Sequence, residues 1–121
     1  MIREIAYAAG SRGMIGGQVA DMENENRGDA APPDDSVLDY IHTHKTEALI
    51  TGSLRAGVLA SAEEGPADAL ISYGKAYGLA FQITDDILDI TGDPVTMGKL
   101  PGSDAKKGKL TYPARFGLEA S

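Results

Sequence analysis

The sequence contains no cysteine. That removes disulfides, thiolate metal sites and cysteine nucleophiles together, so any metal has to sit on oxygen or on histidine. No apolar run approaches the roughly 18 uninterrupted residues that a bilayer crossing requires, and MIREIAYAAGSRG carries acid and glycine where a signal peptide needs an apolar core. A cytoplasmic protein with no membrane span is therefore expected. Basic charge is scarce: the net charge is −7 over 121 residues. An acidic body repels a phosphate backbone, so no nucleic-acid partner is expected. Strand-type alternation is missing, and so is any repeat at solenoid periods. What is present, 42% apolar and 24% charged residues, is ordinary globular composition on the scale of about one domain. The expected class is all-α.

The charge is unevenly spread. Residues 1–93 hold 16 of the 18 acids and 6 of the 11 bases, whereas residues 94–121 hold 2 and 5. A basic segment beside an acidic one suits a small anion together with a divalent cation.

Helical spacing organises most of the chain. Ile2, Ile5, Ala6 and Ala9 follow i, i+3, i+4, i+7, with Gly10 as the C-cap. A second helix is expected from Arg12 to about Asn24. Its Gly13, Gly16 and Gly17 each cost about 1 kcal/mol against Ala, which points to close approach of another helix or a ligand. NRGDAAPPDD, residues 26–35, reads as a loop. One long helix is expected from Ser36, as N-cap, to Ala62, and another from Pro66, near the first helical position, to Ile90. Gly92-Asp93-Pro94 ends that run. Residues 94–109 show no period and read as a loop long enough to suspect of function, and Tyr112-Pro113 opens a last short helix to about Leu118.

Three features carry chemistry. On a helical wheel, Gln82, Asp85, Asp86 and Asp89 of LAFQITDDILDI share one stripe about 100° wide, with apolar residues on the remainder. Clustered carboxylates raise one another's pKa values, and a hard divalent ion such as Mg²⁺ relieves the repulsion; the alternative is a solvated acidic edge. In the helix from Ser36, Lys45 falls within an apolar stripe of Leu38, Ile41, Ala48, Leu49 and Gly52. A lone buried lysine is expensive, so either an anion sits against it, with Thr46 alongside, or it snorkels to solvent. The 94–109 segment sets Lys99, Lys106, Lys107 and Lys109 among Gly98, Gly102 and Gly108, a loop that closes over a metal-bound phosphate or simply a solvated surface. His42 and His44, two apart, do not share a helix face and are read as partly exposed structural residues. No P-loop is present. An EF-hand is excluded, since counting from Asp89 puts Pro94 where the turn glycine belongs.

GMIGGQVADM (13–22), HTHKTEALI (42–50), GLAFQITDDILDITGD (78–93) and MGKLPGSDAKKGKLTYP (97–113) together resemble the C-terminal half of trans-polyprenyl diphosphate synthases, the polyprenyl synthetase family that includes geranyltransferases and farnesyl diphosphate synthases. The resemblance implies the isoprenoid synthase helical bundle, with residues 1–121 forming part of a polyprenyl synthetase domain. It implies Mg²⁺-assisted ionisation of an allylic diphosphate, whose carbocation is attacked by isopentenyl diphosphate. On that basis Asp85 binds Mg²⁺ directly, and Asp86 and Asp89 hold its waters or neighbouring groups. Lys45 and Lys99 contact the allylic diphosphate, Gln82 and the Thr46 carbonyl face the developing cation, and Lys109 supports the closing loop. Gln18 and Asp21 match a GQ-x-x-D helix facing the same cavity, and Gln18 and Lys109 are expected among the diphosphate-binding residues. The family's first aspartate-rich motif has no counterpart in this sequence, so the chain is expected to be inactive alone and to form a homo-oligomer or associate with the missing N-terminal half. A non-catalytic partner subunit of a synthase is the alternative.

Overall fold

The computed structural model describes residues 1–25, 34–61, 66–98 and 100–121. Among them there is no strand. The helices are α1 (Ile2–Ala9), α2 (Met14–Glu23), α3 (Asp35–His42), α4 (Ala48–Ser61), α5 (Ala67–Thr91), α6 (Pro94–Met97), α7 (Ser103–Lys106) and α8 (Tyr112–Phe116), with a 3₁₀ turn at Leu118–Ala120. None of the described helices is long and apolar enough to cross a membrane.

Several helix boundaries differ from expectation. Asp34, not Ser36, caps α3: its carboxylate accepts the Ser36 amide at 3.5 Å, which draws Ser36 into the first turn. Most of the expected 26–35 loop and the expected helix end at Ala62 lie outside the described residues. Pro66 stands next to the first residue of α5, as its expected place near the first helical position requires. The helix expected to run unbroken from Ser36 is interrupted by a π turn, Thr43–Glu47, between α3 and α4. One extra residue in a turn leaves hydrophobic periodicity on either side nearly intact, which hides it from pattern reading, and such turns recur at functional sites. The 94–109 segment is likewise not plain loop. Asp93 caps α6 by accepting the Thr96 amide at 2.9 Å and its hydroxyl at 2.8 Å, and left-handed Gly98 and Gly102 (φ +67° and +80°) turn the chain into α7. Helices of four residues are too short to create a period.

Packing rests on small residues. Among the described residues the buried apolar side chains are Leu38 and Ile41 of α3 and Ala8 of α1. The glycines of α2 do mark a close approach: a β-carbon on Gly17 would overlap the Lys45 backbone nitrogen and lie 2.7 Å from the His44 carbonyl carbon. A β-carbon on Gly74 would lie 2.7 Å from a Leu54 methyl, and one on Gly78 would lie 3.0 Å from the Glu47 Cα. α5 therefore meets α4 and the π turn through its glycine edge. The same face buries Asp86 and Asp89, while Tyr73, Tyr77, Phe81, Leu88 and Ile90 stay exposed. That inverts the usual amphipathic arrangement.

Candidate active site

The inward polar face of α5, α2, the α3–π segment and residues 103–111 enclose a cavity of about 430 Å³. Lys45 enters it from the π turn. Its ammonium lies 2.6 Å from the buried Asp21 carboxylate of α2, so the anion expected against this lysine comes from the chain itself. Next to Lys45, the Thr46 hydroxyl donates to Gln82 Oε1 at 2.8 Å, and Gln82 Nε2 donates to Asp86 Oδ1 at 3.1 Å. Asp86 Oδ2 accepts the Tyr112 amide at 3.0 Å. This relay fixes the Gln82 amide and ties α8 to α5.

The aspartates of DDILD take different positions. Asp85 is exposed on the cavity wall. Asp86 also lines the cavity but is only 4% exposed; burial pushes its pKa up, the bonds from Tyr112 and Gln82 oppose the shift, and Asp104 and Asp85 add to it. Asp89, 2% exposed, does not line the cavity and accepts the Asp104 amide at 3.0 Å. Two of the three carboxylates are thus buried, which is not the geometry of a solvated edge.

From the basic segment, Lys107 and Lys109 line the cavity and Lys106 is exposed outside it. Lys109 Nζ lies 3.1 Å from Asp104 Oδ1. Burial alone would lower the Lys109 pKa, but the bond to Asp104 and the charges of Asp104, Asp21 and Glu25 outweigh it and raise the value. Lys99 lies outside the described residues. Gln18 is half-buried on α2 and does not line the cavity, whereas Asp21, one turn on, does.

The two histidines behave differently from each other. His44 is partly exposed as expected, with its ring stacked on Tyr40 at 3.9 Å and its Nδ1 2.9 Å from the Tyr40 carbonyl. His42, expected to be partly exposed, is 4% exposed. It stacks on Tyr112 at 5.2 Å and lines the cavity, with Nε2 3.8 Å from Asp86 Oδ2 and, among the described residues, no hydrogen-bond partner for the buried Nδ1. Burial lowers its pKa to about 4, so the ring is neutral. Neither His42 nor Asp104 stood out in the sequence. The available signal for Asp104 was its being the one acid among the four lysines of residues 94–109.

The donor set around the cavity is oxygen-rich, as Mg²⁺ prefers. Among the described residues no three carboxylate or imidazole groups converge on a point. Asp85 and Asp86, side by side on the cavity wall, would be the carboxylates to hold a Mg²⁺, an ion that commonly takes one or two carboxylates and completes its shell with phosphate and water oxygens.

The profile of the family described as polyprenyl synthetase matches residues 5–121. The chain belongs to that family. It is 47% identical to the farnesyl diphosphate synthase of Escherichia coli (strain K12) over 98% of this chain and 39% of that protein. It is 38% identical to the geranylgeranyl diphosphate synthase of Cyanophora paradoxa over 100% of this chain and 40% of that protein. In three dimensions it matches the Helicobacter pylori geranyltransferase complexed with magnesium and isoprenyl diphosphate, with a TM-score of 0.82 and 36% identity over 98% of this chain and 38% of that one. The chain thus spans about two-fifths of the length of these relatives. The all-α isoprenoid synthase fold follows from that match.

Proposed function

We propose that this polyprenyl synthetase chain is the Mg²⁺- and diphosphate-binding portion of a prenyltransferase that condenses an allylic diphosphate with isopentenyl diphosphate. The observation that carries the reading is the juxtaposition, around one cavity, of Asp85 and Asp86 with Lys45 and Lys109. Asp85, the exposed carboxylate, with Asp86 beside it, would hold Mg²⁺, which when bound would supply positive charge to offset the diphosphate leaving group. Lys45 and Lys109 are held in place by Asp21 and Asp104 and add fixed positive charge on the same group. The Gln82 side chain, locked by Thr46 and Asp86, turns an oriented dipole toward the developing carbocation.

Residues 1–121 then form part of one synthase domain. The exposed apolar residues of α5 supply the contact surface for the remainder of the family's length or for a second copy. The test is prenyl transfer with labelled isopentenyl diphosphate and an allylic diphosphate in Mg²⁺, by this chain alone and with the remaining portion of a family synthase supplied as a separate chain. No product is expected from the chain alone and product is expected on mixing. In the mixture Asp85→Ala should lower turnover by orders of magnitude, and Thr43→Ala, at an exposed position outside the cavity, should change it little. Turnover by the chain alone, or indifference to Asp85→Ala, overturns the reading.

A further inference from the structure

DDILD places three carboxylates within five residues, yet only two of them reach the cavity. Asp89 is one turn beyond Asp85 on α5 and is 2% exposed. Two groups of this one residue hold the same short stretch of chain. Its backbone carbonyl accepts the Gly102 amide at 2.6 Å, and its Oδ2 accepts the Asp104 amide at 3.0 Å. Asp104 in turn bonds Lys109 twice: Asp104 Oδ1 lies 3.1 Å from Lys109 Nζ, and the Lys109 amide donates to the Asp104 carbonyl at 3.0 Å. Asp104 and Lys109 both line the cavity. An unbroken mechanical path therefore runs from the rigid helix α5, through Asp89, to a carboxylate and an ammonium at the cavity wall.

Gly102 precedes α7 in the left-handed region and has no side chain to cap it. At the other end of the segment Asp86 Oδ2 likewise accepts a backbone amide, that of Tyr112.

We propose that Asp89 is a positioning residue: it clasps residues 102–104 to α5 and so sets Asp104 and Lys109 at the cavity, without itself meeting the ligand. The inference rests on the reading of the cavity as a Mg²⁺–diphosphate site and assigns the last carboxylate of the motif a role distinct from that of Asp85.

Asp89→Asn separates clasp from metal ligand, since it keeps a side-chain oxygen acceptor and removes the charge. Asp89→Ala removes both. Amide hydrogen exchange at Asp104, read by NMR on the 121-residue chain without ligand, reports the clasp. Calorimetric titration with inorganic diphosphate in Mg²⁺ reports the site. The expected result is that Asp89→Asn keeps Asp104 protection and diphosphate affinity within about threefold of the parent, while Asp89→Ala loses about tenfold in both, the scale of one hydrogen bond. An Asp104 amide as protected in Asp89→Ala as in the parent overturns the clasp. So does an Asp89→Asn chain that keeps Asp104 protection yet loses diphosphate affinity about tenfold. If Asp89→Ala does not fold, Asp89→Asn decides: retained protection and affinity support the clasp, and retained protection with lost affinity refutes it. Absence of diphosphate binding by the parent chain would strike the cavity reading instead, leaving the exchange comparison to decide the clasp.

Discussion

Replacing Gly17 by Ala tests how the π turn is held against α2. Ala gains about 1 kcal/mol over Gly in a helix interior. Against that, the new methyl would overlap the Lys45 backbone nitrogen and lie 2.7 Å from both the His44 carbonyl carbon and the Lys45 Cα. Backbone cannot swing aside as the end of a side chain can, so overpacking near the upper part of its usual range, about 3 kcal/mol, is expected. The net loss is about 2 kcal/mol, and for a chain of this size that lowers Tm by roughly 8 °C. The displaced turn carries Lys45, so its pair with Asp21 should weaken as well. Gly57 is the control: it lies on α4, where a methyl would meet nothing within 4 Å, and Gly57→Ala should raise Tm by roughly 4 °C. Far-UV circular dichroism melts of the three proteins decide the matter. A Gly17→Ala chain that melts at or above the parent temperature would refute the close approach.

His42 should make stability fall on acidification. Its folded pKa of about 4 is below the ordinary 6.5, so its contribution is complete above pH 6.5 and is lost as pH falls toward 4, on the order of 3 kcal/mol. Asp39 and Asp21 oppose the depression, Lys45 adds to it, and the nearby Asp86, with its raised pKa, offsets part of the loss at the acid end. Melts of the parent and His42→Phe across this window should diverge, and parallel curves would contradict the assignment. Thr111→Val removes the hydroxyl that caps α8 by accepting the Ala114 amide at 3.3 Å, and a loss of about 1 kcal/mol in chemical denaturation is expected. An unchanged midpoint would show that Asp86 and the His42–Tyr112 stack hold α8 without the cap.

Legibility in the sequence followed period and spacing. Helices α1, α2 and α5 were readable from i, i+3, i+4 patterns and from Gly92-Asp93-Pro94, and the polar stripe of Gln82, Asp85 and Asp86 does face one cavity. The glycines of α2 announced a close neighbour but not its identity. What stayed hidden depends on contacts between distant residues. Lys45 looked alone because Asp21 lies 24 positions away, and His42 looked exposed because the Tyr112 ring that covers it comes from the far end of the chain. The π turn shifts register by a single residue, and α6 and α7 are shorter than any recognisable period. Asp89 sits on the expected stripe, yet its partner is an amide in a segment that showed no pattern at all.

The central claim, that the cavity binds a diphosphate through Asp85-held Mg²⁺ and the two lysines, is tested most directly by calorimetric titration of the 121-residue chain with inorganic diphosphate, with and without Mg²⁺. The expected result is binding that requires Mg²⁺, is abolished by Asp85→Asn, is weakened by Lys45→Met and is untouched by Thr43→Ala. No binding in the presence of Mg²⁺, or binding indifferent to both Mg²⁺ and Asp85, would contradict the claim.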